Sequence, residues 1–484
     1  MRLLVKTTVL ITAGYVVYRL CRRKGRCIPK FYYPLRRDLN FAWITAEAEK
    51  GNVPQIFWSD QFVKYNIGRI LVLADYDLIE KCFKNPHLSM RPTNGRSALA
   101  LELERQDKKI PELVESMFPF DFKPGTHLGI QSGPYDANHK LLRKAWHRTM
   151  MKMASRDELE EMISYSGEQI VNQLRKSFDP NGIDPGPVFM NGSLNVITAF
   201  LCSETHEFNS PEQVEINNIT SGFLDRLMEY GLITAWSSLF PEWMIRKRWH
   251  KKLLTIFKPD AFDVIEELLD KQWPLWLQKI KEHEKSMDPE HPRDYLDFML
   301  IEAKVANNGI GYLSTVMTVA SLFTAGADTL KNTLRWFVSF MAENQDVQEE
   351  FYSAAKSCQD ENKKPSECDF ILAVLEETFR LRPVAESLFH VAECDVGFDG
   401  YLIPKGTTIQ ANLTALHFNP IAFNEPSKFN PKRFLHDGKF KESGFIIKQF
   451  LSNKQNSKHF ERNILLLNHF QLDFEIVPAK GLLV

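Results

Sequence analysis

The chain has 484 residues, of which 44% are hydrophobic and 25% charged, the make-up of a folded globular protein and not of a disordered or collagen-like one. Its formal net charge of −1 excludes a nucleic-acid binder that works through a strongly basic overall field. Seven scattered cysteines contain no CxxC pair, which argues against a disulfide scaffold or a zinc ribbon, and none of them follows Cys394.

In chain order, residues 3–21 come first. They are apolar or small except for Lys6 and Arg19. The uncharged run 7–18 is short of the roughly 20 residues that cross a bilayer, but 3–21 suffices if the two cations snorkel to the headgroups. Arg22, Arg23, Lys24 and Arg26 follow, and no small-residue cleavage site intervenes. Residues 1–24 therefore read as a retained membrane anchor with its basic flank on the cytoplasmic side. Pro29 and Pro34 mark a stiff, extended exit. Residues 25–484 are expected to form a single domain.

Residues 70–84 read as a short strand leading into a helix. Residues 156–176 and 343–357 have helical spacing of apolar and charged positions. Loop signals fall at 178–186, 286–294 and 358–368. Residues 396–412 read as short strands paired around Gly400 and the Pro404–Gly406 turn. Helix dominates, so the expected class is mainly α with a small β region. No P-loop and no GxGxxG after a strand is present.

Residues 312–341 carry an apolar stripe from Tyr312 to Met341 at three- and four-residue steps. In its middle lies Ala325-Gly326-Ala327-Asp328-Thr329. An acid beside a hydroxyl in a buried helix is costly unless both are bonded, and Thr329 can reach back to a carbonyl one turn earlier. Two readings stand: a groove for a small molecule beside an Asp–Thr proton route, or a helix crossing at Gly326. In 371–383, Glu377 and Arg380 lie one turn apart and share a face, and Pro383 stops the helix. Arg433, among aromatic residues in 423–434, is positioned to complete a three-membered network with them.

These elements together resemble the cytochrome P450 family of the membrane-anchored eukaryotic kind, over roughly residues 1–434. AGADT at 325–329 is similar to the oxygen-binding groove of that family's long helix. Glu377-x-x-Arg380 matches its ExxR motif, and FNPKRF at 429–434 its PxRF segment. His390, in the stretch 389–409, and Arg143, in HKLLRKAW at 139–146, match positions that contact the haem propionates; His139 stands where Trp is usual.

The resemblance implies a mostly helical fold, truncated at its C-terminal end, holding haem b. It implies a haem-thiolate monooxygenase that inserts one oxygen atom into an apolar small molecule. Asp328 and Thr329 would be catalytic, as the proton route. His139, Arg143, Ala325, Gly326 and His390 would hold the cofactor, and Glu377, Arg380 and Arg433 would be structural. The partner would be a flavoprotein reductase, docking on Lys140, Arg143, Lys144, Arg148 and Lys152. The place would be the endoplasmic reticulum membrane, with the catalytic domain facing the cytoplasm. Phe323, Thr324, Ala327 and the segment 95–130 would line the pocket.

The family's FxxGxxxCxG ligand loop has no counterpart in 440–462, where there is no cysteine and one glycine, Gly444. No residue is therefore assigned as a metal ligand, although Cys394 and His459 are chemically competent donors. Three readings stay open: a monooxygenase whose gene model is incomplete, a catalytically inactive pseudoenzyme, and an apolar-ligand binder.

Overall fold

The computed structural model describes residues 30–31, 44–59, 70–88, 90, 137–154, 156–177, 182–220, 273–306 and 312–441, with two isolated positions besides. The anchor segment 1–24, the pocket segment 95–130 and the cysteine-free residues 442–484 lie outside the described residues. Among the described residues, no helix is long and apolar enough to cross a membrane.

The chain divides into two compact units, residues 1–90 with 387–419, and residues 91–386 with 420–484. The first unit is built on a five-stranded sheet. Its strands are β1 (Lys30–Phe31), β2 (Ile56–Ser59), β3 (Ile70–Leu73), β4 (Ser387–Val391) and β7 (Thr408–Asn412), in the order β1-β2-β3-β7-β4. Residues 70–73 pair in parallel with 408–411, so chain segments far apart in sequence share one sheet. Leu71, Val72, Leu73, Ile409 and Ala411 are fully buried, the run of apolar residues expected of central strands.

Helix α1 (Tyr76–Lys84) follows β3 directly. Asp75 caps it, accepting from the Leu78 N–H at 3.0 Å, and Lys81 and Lys84 occupy the last turn, where cations suit the helix dipole.

Strands β5 (Val396–Phe398) and β6 (Tyr401–Ile403) form a separate hairpin. Its two-residue turn is Asp399-Gly400, with φ of 49° and 78°, the left-handed pair that tight hairpins require. The sequence expectation needs one correction here. The Pro404–Gly406 turn does not return the chain onto β6; it passes β7 into the five-stranded sheet, where pairing with β3 on one side and β4 on the other satisfies more backbone groups.

The second unit is helical: α2 (Ala137–Ala154), α3 (Asp157–Lys176), α4 (Gly186–Cys202), α5 (Trp273–Ser286), α6 (Tyr295–Ala306), α7 (Tyr312–Glu343), α8 (Gln345–Asp360) and α9 (Asp369–Leu381). The 32-residue α7, about 48 Å long at 1.5 Å per residue, packs along the almost wholly buried α4. Glycines set this stack. A Cβ on Gly192 would lie 2.1 Å from Ile170 Cδ1 of α3, and one on Gly326 would lie 2.7 Å from Ile197 Cδ1 of α4. Each glycine thus lets two helices approach to side-chain contact. Arg382 follows α9, and Pro383 prevents its continuation.

Two of the scattered cysteines are joined: Cys358 and Cys368 form a disulfide. Spacing alone did not expose it, because the pair is brought together by the turn between α8 and α9.

Candidate haem-protein site and family membership

The second unit is organised round Glu377. On α9, Ala373, Glu377 and Arg380 share one face at steps of four and three. Arg380 and Glu377 are both 0% exposed and form a two-point ion pair, with Nε to Oε2 at 2.7 Å and Nη2 to Oε1 at 2.9 Å. A 3₁₀ turn at Pro431–Phe434 delivers the third partner. Asn430 caps this turn through its side chain, which accepts from the Lys432 N–H, while its own N–H donates to Glu377 Oε1 at 2.8 Å. Arg433 Nε reaches the same oxygen at 3.1 Å.

The outer nitrogens of Arg433 donate to the carbonyls of Asn424, Glu425 and Lys428. One carboxylate thereby ties a helix to a loop through two guanidinium groups. Apolar packing dries the network: Phe423 and Phe434 pack on Ala373, and the Arg380 guanidinium lies 5.0 Å from the Phe423 ring centroid. Strands β8 (Leu435–His436) and β9 (Lys439–Phe440) continue the loop as a hairpin turning at Asp437-Gly438. It docks on the start of α9, where Asp369 accepts from the Phe440 N–H at 2.9 Å and pairs with Lys439. Sequence reading missed this hairpin, although Asp-Gly between short apolar runs is its usual signal.

On α7, Thr329 donates to the Gly326 carbonyl at 3.2 Å. Asp328 is held by Lys331 Nζ at 2.6 Å and Asn332 Nδ2 at 3.1 Å. Acid and hydroxyl are both satisfied on their own helix and are half-buried. The space beside Gly326 that a Cβ would take is filled by Ile197. Phe323 packs edge-on against Trp276, with centroids 4.9 Å apart, and Ala327 is buried. Ala325 is exposed, and the side chain of Thr324 is outside the described residues.

His139 is buried on α2 and Arg143, one turn on, is exposed. Lys140 and Lys144 are also exposed, but Arg148 and Lys152 turn to Glu302 of α6, so the basic face expected for a partner is narrower than the five cations of the sequence. In the first unit, His390 is buried on β4, its ring 4.2 Å from that of Phe83.

A second buried network escaped sequence reading. His283 Nδ1 lies 2.9 Å from the Lys279 carbonyl, and Nε2 lies 2.9 Å from Asp294 Oδ2. A carbonyl and a carboxylate thus face the two ring nitrogens, an arrangement that favours the protonated imidazole. Burial pushes its pKa down, but the Asp294 hydrogen bond and charge outweigh that, and the result is raised. Asp294 also caps α6 by accepting from the Asp297 N–H at 3.0 Å, and Asp297 pairs with Arg293 through both carboxylate oxygens. The legible signal was Asp294 three residues before Asp297, ahead of an apolar run.

Such a fold and clamp define a mainly helical scaffold with a buried Glu–Arg–Arg network. The cytochrome P450 family model matches residues 120–450. The chain belongs to the cytochrome P450 family. It is 27% identical over 309 residues to rabbit (Oryctolagus cuniculus) cytochrome P450 2E1, and 32% identical over 317 residues to dog (Canis lupus familiaris) cytochrome P450 2C41. These matches cover 61% and 60% of this chain and span 59% of the length of each relative. A probable cytochrome P450 508D1 of Dictyostelium discoideum is 26% identical over 369 residues, 73% of this chain and 71% of that one. A zebrafish cytochrome P450 structure with progesterone has the same fold, with a TM-score of 0.65 at 20% identity, over 88% of this chain and 90% of that one.

The described residues fit the clamp of a haem-thiolate fold but not its axial donor. Burial pushes the Cys82 thiol up to about 12 and raises Cys202 as well, the opposite of what a metal-binding thiolate needs. Cys358 and Cys368 are joined to each other, and Cys394 lies in the strand-rich unit.

Proposed function

We propose a haem monooxygenase-like function on an apolar small molecule, with haem b as cofactor. The reading rests on one observation above the others: Glu377, Arg380 and Arg433 are joined in a buried clamp, in a chain of this family. It assigns Asp328 and Thr329 to proton handling, His139, Arg143, Ala325, Gly326 and His390 to the cofactor, and Glu377, Arg380 and Arg433 to a structural clamp. Residues 1–24 are the anchor, 25–484 one domain, and the membrane is that of the endoplasmic reticulum, with the domain on its cytoplasmic side. A flavoprotein reductase supplies electrons, docking through Lys140, Arg143 and Lys144.

The cysteine-free run after Cys394 favours a second reading, an apolar-ligand binder without thiolate chemistry. The difference spectrum of the reduced, carbon monoxide-treated protein separates them. A thiolate-type band supports the monooxygenase. Haem uptake without that band supports the binder, and no uptake removes both haem readings for this sequence. Reading the transcript across codons 440–484 tests directly whether the gene model is incomplete, because a frame encoding FxxGxxxCxG restores the donor.

A further inference from the structure

Cys358 lies in the last turn of α8, and Cys368 is the residue from which α9 starts, ten positions on. Their Cα atoms are 6.3 Å apart, within the span that a disulfide bridges. Both sulfurs also face one acceptor: the Lys364 carbonyl lies 3.8 Å from Cys358 Sγ and 3.6 Å from Cys368 Sγ. A reduced pair therefore has its S–H acceptor already in place. The turn that joins them is also held by hydrogen bonds that do not involve the S–S bond. Glu367 accepts from the Lys364 N–H at 2.8 Å, and the Cys368 N–H donates to the Pro365 carbonyl at 3.1 Å.

The hydrogen bonds of the turn and the shared sulfur acceptor are thus compatible with either redox state. A bridge that closes so short a loop also restricts the unfolded chain less than a long-range one does. Its leverage is local. The Cys368 carbonyl accepts from the Leu372 N–H at 3.1 Å, the first bond of the helix that carries Glu377 and Arg380.

We propose that Cys358 and Cys368 are a reversible dithiol–disulfide site that latches the end of α8 to the start of the clamp helix. In the oxidising step two S–H bonds break and one S–S bond forms. The two electrons and two protons pass to a small-molecule disulfide such as glutathione disulfide, which is reduced to two thiols. Residues 361–364, in the turn whose Lys364 carbonyl faces both sulfurs, are exposed to solvent, and opening of that turn would admit the reagent.

The test equilibrates the full chain in buffers of stepped reduced-to-oxidised glutathione ratio, quenches with acid, alkylates, and maps the peptides by mass spectrometry. The expected result is joint loss of alkylation at Cys358 and Cys368 as the oxidised form rises, reversed by dithiothreitol without denaturant. Cys82 and Cys202 stay alkylatable throughout. Hydrogen exchange at the Leu372 amide should slow several-fold on oxidation, and the Cys358→Ser variant should lose that response. A bridge that survives native reduction, or two thiols that stay alkylatable in full oxidant, overturns reversibility. Equal Leu372 exchange in the two buffers overturns the latch.

Discussion

Arg433 Nε meets Glu377 Oε1 at 3.1 Å, joining a 3₁₀ turn to a helix 56 residues earlier in the chain. The oxygen it shares with Arg380 and the Asn430 N–H is completely buried, so the three donors stand in for the water that Glu377 loses on folding.

Glu377→Ala should therefore be the most damaging substitution in the clamp. It leaves the 0%-exposed Arg380 without its counter-charge, at a cost of about 3–5 kcal/mol. Arg433→Ala should cost less, because Arg433 is 11% exposed and its carbonyl partners lie toward solvent. Denaturant unfolding of the two variants checks the order, and equal losses would remove the distinction.

A pH dependence follows from His283. Its folded-state pKa lies above the ordinary 6.5, so its contribution is complete below that value and is lost as pH rises through the folded pKa. Thermal midpoints measured across neutral to alkaline pH should fall for the unmodified chain. Asp294→Asn should start lower and lack that component of the fall. Parallel curves would show that the pair does not govern it.

The glycines in the helix stack should differ in sensitivity. Gly192→Ala drives a methyl to 2.1 and 2.2 Å from two Ile170 carbons and should cost about 1–3 kcal/mol, the clash being relieved by Ile170→Ala, which removes both carbons. Gly326→Ala meets Ile197 at 2.7 and 3.1 Å, and a gain of about 1 kcal/mol in helix propensity offsets part of its strain. Midpoints for both variants, with and without the relieving change, measure the difference.

Glu302 draws Arg148 and Lys152 away from the basic surface of α2. Under the proposed reductase docking, Glu302→Gln should free both cations and tighten binding several-fold in low salt, with the gain disappearing in high salt. A titration at two ionic strengths checks it, and unchanged affinity would remove α2 from the interface.

Local periodicity made α1, α3, α7 and α9 legible, because each helix repeats its buried positions within the chain that forms it. The Glu377–Arg380 pair was legible for the same reason, as one turn of one helix. Its link to Arg433 was suggested by an arginine set among aromatic residues in 423–434 and matched by the family's PxRF segment, since no spacing rule joins residues 56 apart. The 70–73 with 408–411 pairing, the Cys358–Cys368 bridge and the His283–Asp294 pair were not legible, because each depends on where a turn or sheet carries the chain.

By itself the sequence determined the helical class, the clamp helix, the family motifs and the absence of a cysteine after Cys394. Only the tertiary structure decided what those residues do to one another. Gly326 serves a helix contact with Ile197, Asp328 is held by Lys331 and Asn332, and Arg148 is turned to Glu302. The physical reason is common to all three. A residue type states which bonds it can make, and burial and proximity, which the fold alone supplies, choose the partner.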